Sequence, residues 1–399
     1  MEAARPLTVP ARRGSIGERF SLPYLDGVML GAAMGLIAFS VFTLAVATRE
    51  AIEGQPLYFV FRQSLYALVG IALMFAVSRV DYSRFRELRV GIYSLMIALI
   101  STVFLFGTAA RGSNRWIELP YFRFQPSELA KVLLVVALAA FVLERTRRGS
   151  DLRQTLRLVA LGLVAAALVF LQPDLGTGAV LVVTTLAVLF IAGVRWTHFA
   201  AVGGVAALVA TFTLAVAPAI GVPILRDYQQ ERLTSFLNPS GDPGDSGYQV
   251  NQALIAAGSG GKTGRGDQAT QTDLLFLPER QTDFVFAVVG ERFGFLGAAF
   301  VLSLYALLIW RGLRLLTLSK NLYGTVIAGG IVAMLMFQVF VNVGMNLGMM
   351  PVTGITLPLL SYGGSSVLVT FLAIGLLQSI HVQAQLNSRD SGAQPSLLR

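Results

Sequence analysis

About ten stretches of this chain stay apolar for longer than a soluble fold tolerates, and that one feature limits it to a membrane. They cover residues 24–47, 57–78, 90–107, 126–143, 158–171, 175–194, 197–217, 284–310, 322–345 and 357–380. The hydrocarbon core of a bilayer is about 30 Å thick and a helix rises about 1.5 Å per residue, so about 20 apolar residues make one crossing. The apolar residues come in continuous runs rather than at the periods of a half-buried helix or strand. An all-α, polytopic integral membrane protein of about ten transmembrane helices follows. Composition agrees, since 55% of the 399 residues are hydrophobic and only 13% are charged. The first run is too long for the apolar part of a signal peptide and leads into Thr48, Arg49 and Glu50 rather than small residues. It is therefore expected to remain in the mature protein as an anchor.

The net charge of +9, from 31 Lys and Arg against 22 Asp and Glu, would suit a nucleic-acid binder if the basic residues formed one patch. They lie instead between the apolar runs, so no nucleic-acid partner is expected. With the N-terminus inside, the cytoplasmic segments hold roughly 19 basic and 8 acidic residues, including Arg145, Arg147, Arg148, Arg153 and Arg157 in one short loop. The outer segments hold roughly 9 basic and 12 acidic residues, which places both termini in the cytoplasm. Residues 1–23 then form a cytoplasmic N-terminal segment, 24–382 the transmembrane domain, and 383–399 a disordered cytoplasmic tail rich in Ser, Gly, Gln and Pro. One connection stands out: a large extracytoplasmic loop between helices 7 and 8, over 218–283, of a length that usually carries function. A shorter external loop, 108–125, holds Arg111, Arg115, Trp116, Glu118 and Arg123. With no cysteine, and with His198 and His381 far apart, disulfides, thiolate chemistry and a zinc site are excluded.

Several polar groups lie where lipid should be. Glu128 and Lys131, three residues apart, share a helix face and can pair; unpaired, each would cost roughly 2.5–3.5 kcal/mol at mid-membrane. They are either a structural ion pair or part of a functional interior. Gln338, Asn342 and Asn346 recur every four residues, as interhelical glue or as the wall of a hydrophilic cavity. Glu291 and Arg292 lie inside the eighth run and are expected to line the same interior. In the long loop, Gly261, Lys262 and Thr263 imitate a nucleotide-binding motif, but Ala256 stands where that pattern needs glycine and no strand precedes it. The cluster 258–266 reads as flexible backbone able to approach a ligand closely, with Lys262 and Arg265 able to neutralise phosphate. Asp283, just before the eighth run, is either a helix N-cap or a general base at the membrane surface, with Glu279 a second acidic group nearby.

Read in order, the segments Gly112–Ile117 (GSNRWI), Gln125–Lys131 (QPSELAK), Gln172–Thr177 (QPDLGT), Phe236–Pro239 (FLNP), Gly247–Gln249, Gly258–Gly261, Leu277–Glu279 with Thr282 to Phe284, and Pro358–Ser366 (PLLSYGGSS) carry a resemblance over nearly the whole chain. The sequence resembles the SEDS family (shape, elongation, division and sporulation), and within it the rod-shape-determining branch more than the division branch. That resemblance implies a peptidoglycan glycosyltransferase of cell elongation in the bacterial plasma membrane, polymerising lipid II, a disaccharide-pentapeptide on undecaprenyl pyrophosphate. The family's essential loop aspartate falls on Asp283, as base or orienting carboxylate for the acceptor hydroxyl. Arg115, Arg232, Lys262 and Arg265 become candidates for the charge that grows on the leaving pyrophosphate. Trp116, Glu128, Lys131, Asp174 and Glu279 join them as substrate-binding candidates.

The resemblance also implies a class B penicillin-binding transpeptidase as partner within the elongation machinery. It fixes no cofactor; a divalent cation (Mg or Mn) at the pyrophosphate is a candidate without a ligand set, because the outer acidic residues are spread along a loop. One departure matters, since the family's usual His two residues before the aspartate is Gln281 here. A flippase for lipid II, a division polymerase and a recruiting scaffold are the competing readings.

Overall fold

The computed structural model describes residues 24–390 except 50, 51, 53, 111–112, 120–121, 147–151, 220–244, 274–275 and 278. Within it, α1 (Gly27–Ala47), α2 (Tyr58–Ser78), α3 (Arg89–Phe106), α4 (Pro126–Thr146) and α5 (Leu152–Leu171) are followed by a shorter apolar helix, α6 (Leu175–Ile191). Next comes α7 (Trp196–Thr211), prolonged by a π-helical turn, Phe212–Val216, and a last turn, Ala217–Ala219. Two helices of the long outer loop, α8 (Asp245–Ser259) and α9 (Thr270–Asp273), precede α10 (Val285–Leu318), α11 (Leu322–Asn346) and α12 (Gly364–Asp390). Eight of these, α1–α5 and α10–α12, are long and apolar enough to cross a membrane; α6 and α7 occupy the remaining two apolar runs. The chain is a multi-pass membrane protein.

The helices start where short polar side chains can take up exposed N–H groups. Asp26 accepts from Met29 N–H (3.0 Å), Asp174 from Thr177 N–H (3.1 Å) and Asn321 from Gly324 N–H (2.9 Å). Three helices form the centre. α12 is buried over 89% of its apolar stretch, α4 over 78% and α11 over 72%, against 17% for α3, which faces lipid along most of its surface. Small residues set the close approach of α2 to α12: a Cβ at Gly70 would lie 2.5 Å from the Phe371 ring, and one at Gly375 would lie 2.8 Å from the Met74 carbonyl.

Four sequence expectations change. The loop 108–125 carries an antiparallel sheet in the order β1 (Thr108–Ala110), β2 (Ser113–Leu119), β3 (Phe122–Phe124), with Glu118 opposite Arg123 and an ion pair between them at 3.1 Å. Its Trp, Ile and Phe residues suit strands, a preference masked in the sequence by the charges between them. The eighth run is not one straight span, because Gly294 (φ 65°, ψ −161°) breaks α10 in a conformation open to glycine. Membrane-depth backbone cannot stay unpaired, and the Gly-rich segment completes the broken ladder. Phe295 N–H donates to Gly261 O (2.9 Å), Leu296 N–H to Lys262 O (3.1 Å), and Arg265 N–H to Glu291 O (2.8 Å).

The cluster 258–266 is therefore not a flexible approach to a ligand; Cβ atoms at Gly260 and Gly264 would run into the Gly290 and Arg292 carbonyls. The fourth change is at the C-terminus. α12 continues through 383–390, expected as disordered, because Gln383 donates to Asp81 (2.9 Å) and Lys320 to Asn387 (2.6 Å); 391–399, like 1–23, lie outside the described residues.

A buried network ties the inner ends of α1, α10 and α12. Asp26 pairs with Arg311 at 2.6 Å and exchanges two backbone hydrogen bonds with the Gln378 amide (2.8 and 3.1 Å). Removing one partner leaves a buried charge uncompensated, at a cost of about 3–5 kcal/mol. Asp26→Ala is accordingly expected to lower the unfolding temperature of the detergent-purified protein sharply, whereas Arg49→Ala on the exposed outer end of α1 leaves it in place; equal melting of the two variants would contradict this network.

Candidate functional site

A cavity of about 640 Å³ opens on the outer side of the helix bundle. Its walls are the start of α2 (Tyr58, Arg62, Tyr66), the β2–β3 hairpin (Arg115, Trp116, Glu118, Phe122, Arg123), the first turns of α4 and α6 (Glu128, Thr177), Glu279 and Gln281 to Asp283, and the segment leading into α12 (Gly354, Thr356, Tyr362–Gly364, Ser366). Five of the ten site residues named from sequence therefore meet here: Arg115, Trp116, Glu128, Glu279 and Asp283.

Asp283 stands on a backbone held at three successive carbonyls. Tyr362 N–H donates to Gln281 O (2.8 Å), the Ser361 hydroxyl to Thr282 O (2.6 Å), and the Asn342 and Asn346 amides both to Asp283 O (3.0 Å each). Asn346 also accepts from Ala287 N–H at 2.9 Å, which fixes the first turn of α10. The Asn342/Asn346 stripe is thus glue, and what it holds is the loop carrying the aspartate. The cap position of α10 is Phe284, one residue after Asp283, and it makes no side-chain hydrogen bond. Gly354, at φ 74°, leaves open the space in front of the carboxylate: a Cβ there would lie 3.7 Å from Asp283 Oδ2 and 4.0 Å from Arg115 Nη1. Carboxylate and guanidinium face each other across that gap. Glu279 receives the Thr282 hydroxyl at 2.7 Å.

The segment 357–366 holds the opposite wall too. The Ser365 hydroxyl donates to Arg123 O (3.1 Å) and accepts from Gln125 N–H (2.9 Å), pinning the hairpin to the start of α12. Asp174 is 1% exposed and engaged with protein: it accepts from Gln125 Nε2 (2.9 Å), caps α6 and lies 3.6 Å from Arg115 Nη1. It orients Arg115 rather than lining the cavity. Glu128 and Lys131 pair at 2.8 Å, 6% and 2% exposed, with Glu128 at the cavity floor and Lys131 behind it.

Other expectations are not met at this place. Lys262 and Arg265 are exposed on the loop that patches α10, and neither lines the cavity. Arg232 lies outside the described residues. Glu291 does not share the Glu128 interior: its carboxylate accepts from Gln271 N–H (2.8 Å), Thr272 N–H (3.0 Å) and the Thr272 hydroxyl (2.6 Å), holding α9, while Arg292 reaches Gly266 O at 3.3 Å. Among the described residues no three His, Asp or Glu side chains converge to hold a metal ion. Arg62, Tyr58, Tyr66 and Tyr362 also line the cavity and were not singled out from sequence.

Comparison with known proteins follows the same outline. A family model for cell cycle proteins of the FtsW, RodA and SpoVE type matches residues 24–386. Stage V sporulation protein E of Bacillus subtilis is 38% identical over 359 residues, 88% of this chain and 94% of that protein. Peptidoglycan glycosyltransferase MrdB of Escherichia coli is 36% identical over 367 residues, 92% and 96% of the two chains. A solved structure described as the structural coordination of polymerization and crosslinking by a peptidoglycan synthase complex superposes with a TM-score of 0.76 at 32% identity, over 90% of this chain and 98% of that one.

Two measurements check the geometry. Asn346→Ala frees the Asp283 carbonyl and the Ala287 N–H, which is expected to cost about 1–3 kcal/mol of stability and to lower turnover; an unchanged turnover would detach the asparagine from the site. Glu128→Gln alone and Lys131→Met alone are each expected to destabilise by about 3–5 kcal/mol, and the double variant by much less than their sum. A double-mutant cycle with no coupling would contradict the pair.

Proposed function

The chain belongs to the FtsW/RodA/SpoVE family, and from that premise we propose how its outer cavity serves a peptidoglycan glycosyltransferase. Lipid II supplies both reactants. The GlcNAc 4-hydroxyl of the acceptor attacks the anomeric carbon of the donor MurNAc; the new O4–C1 bond forms as the bond from C1 to the pyrophosphate oxygen breaks, with inversion at C1. Asp283 takes the hydroxyl proton, and a carboxylate held within reach of a hydroxyl is suited to that transfer. Undecaprenyl pyrophosphate leaves with the bonding electrons. Arg115, kept in orientation by Asp174 and facing Asp283 across Gly354, is placed for the negative charge that develops on the leaving group. Trp116 and Glu128 border the sugar space, and Lys131 pairs with Glu128 and directs its carboxylate.

The observation that carries this reading is Asp283 itself, an acidic side chain at the wall of a polar cavity on a backbone immobilised at three carbonyls. Preorganisation of that kind lets a catalytic group act without paying for its own ordering during the reaction. Glu279, bonded to the Thr282 hydroxyl, supports the loop and keeps negative charge near the acceptor side. A divalent cation at the pyrophosphate belongs to the proposal, although among the described residues no group of three His, Asp or Glu converges to hold it.

The setting follows from the resemblance: strand synthesis for cell elongation, in the bacterial plasma membrane, beside a class B penicillin-binding transpeptidase that cross-links the product. Similarity to a solved synthase complex that joins polymerisation to crosslinking supports such a partner.

Labelled lipid II, incubated with the purified protein and its transpeptidase, tests the assignment on a glycan-length gel. Wild type is expected to make long strands, and Asp283→Asn none while unfolding at the wild-type temperature. Strands of normal length from the variant would remove Asp283 from the chemistry.

A further inference from the structure

Glu279, Gln281, Thr282 and Asp283 line the outer cavity, and Arg280 between them does not. Its side chain is nonetheless buried, at 4% exposure, so it turns back from the cavity into the protein. There Nη1 donates to the Thr272 carbonyl in α9. A buried guanidinium is expensive to desolvate and is tolerated where hydrogen bonds meet it. Arg280 therefore gives the aspartate loop an attachment that neither α11 nor the segment before α12 supplies.

The far end of that attachment is itself fixed. Thr272 is fully buried, and its N–H and hydroxyl both donate to Glu291 Oε2 (3.0 and 2.6 Å), while Gln271 N–H donates to Oε1 (2.8 Å). Bonds to an ionised carboxylate are roughly twice as strong as neutral ones. Glu291 is the seventh residue of α10, about 9 Å along the helix from its first residue at 1.5 Å per residue. The connection thus closes on itself. α10 holds α9 through Glu291, α9 holds Arg280 through Thr272, and Arg280 belongs to the turn by which the chain enters α10. That turn is tight, since Thr282 N–H (3.1 Å) and Phe284 N–H (3.2 Å) both donate to Glu279 O. A displacement at residue 280 is passed on to Asp283 rather than absorbed between them.

We propose that Arg280 is a positioning residue for glycosyl transfer, and that the connection from Glu291 through Thr272 to Arg280 sets how far Asp283 reaches into the cavity. This rests on the reading of Asp283 as the group that takes the acceptor proton. Arg280 touches no substrate and acts through the aspartate alone. Its loss should spare substrate binding and lower turnover, because misplacing a reacting group by about 1 Å costs up to about a hundredfold in rate.

The test measures strand synthesis by the full chain with its transpeptidase partner as a function of lipid II concentration, below the melting temperature of every variant. Arg280→Met is expected to lower kcat about tenfold or more with KM within about twofold of wild type. Arg280→Lys, which can still donate to the Thr272 carbonyl, is expected to restore most of the rate. Combined with Glu291→Gln, Arg280→Met is expected to be no slower than the slower single variant, as for two links in one chain. Amide hydrogen exchange over residues 281–288 is expected to quicken in Arg280→Met. Asp26→Ala, which costs stability at the other end of the bundle, is expected to keep both the exchange and kcat of wild type. Unchanged kcat or unchanged exchange in Arg280→Met would overturn the proposal, and so would equal losses in Asp26→Ala, which would make the effect one of general destabilisation. If Arg280→Met melts early, Thr272→Val decides in its place, because it removes one bond of the connection and no charge; a wild-type kcat then counts against. Asp283→Asn, assayed alongside, separates the two readings. An active Asp283→Asn removes the role of the aspartate and this proposal with it, whereas an inactive one beside a fully active Arg280→Met removes the positioning role alone.

Discussion

A buried backbone carbonyl left unpaired is expensive, and three consecutive ones, at Gln281, Thr282 and Asp283, are the points on which this site hangs. Each is answered by a different donor: a main-chain N–H at Tyr362, a hydroxyl at Ser361, and two amides from Asn342 and Asn346. Donors from α11 and from the segment before α12 thus converge on one short loop. The loop has little freedom to move without breaking several bonds at once. Rigid placement of the aspartate is a by-product of the need to satisfy buried backbone groups.

The same economy explains why the segment 358–366 matters to both walls of the cavity. Ser361 and Tyr362 hold the aspartate loop, while Ser365 holds the hairpin that carries Arg115 and Trp116. Gly364 allows Phe122 to pack directly onto the helix start, where a Cβ would sit 2.5 Å from the ring. The width of the cavity is therefore set by one stretch of about nine residues, gripping acid on one side and base on the other through hydroxyls and main-chain groups.

Much of this was legible in the sequence, and the reasons differ by residue. The spans follow from length and hydropathy alone, and the Glu128/Lys131 pair from helical spacing, because both depend on local geometry. The asparagine stripe was readable as polar, but its partners, Asp283 O and Ala287 N, lie some 60 residues away and carry no side-chain signal. The Gly-rich segment misled for the same reason. Its glycines answer a break at Gly294 that no local pattern announces, so Lys262 and Arg265 were drawn toward chemistry that occurs elsewhere. Arg62 escaped notice because a lone basic residue near a span end is ordinary, its long side chain able to reach the interface; only the cavity beside it gives it meaning.

The contact that fixes residue 281 is made through its carbonyl, not through its side chain. An imidazole, an amide or any side chain of similar bulk can therefore be exchanged there while Asp283 keeps its place, because the donor from Tyr362 sees the same main-chain oxygen in every case. The loop is strict in shape and permissive in chemistry at that one position. Glutamine at 281 is thus one of several side chains that this scaffold can carry without being rebuilt.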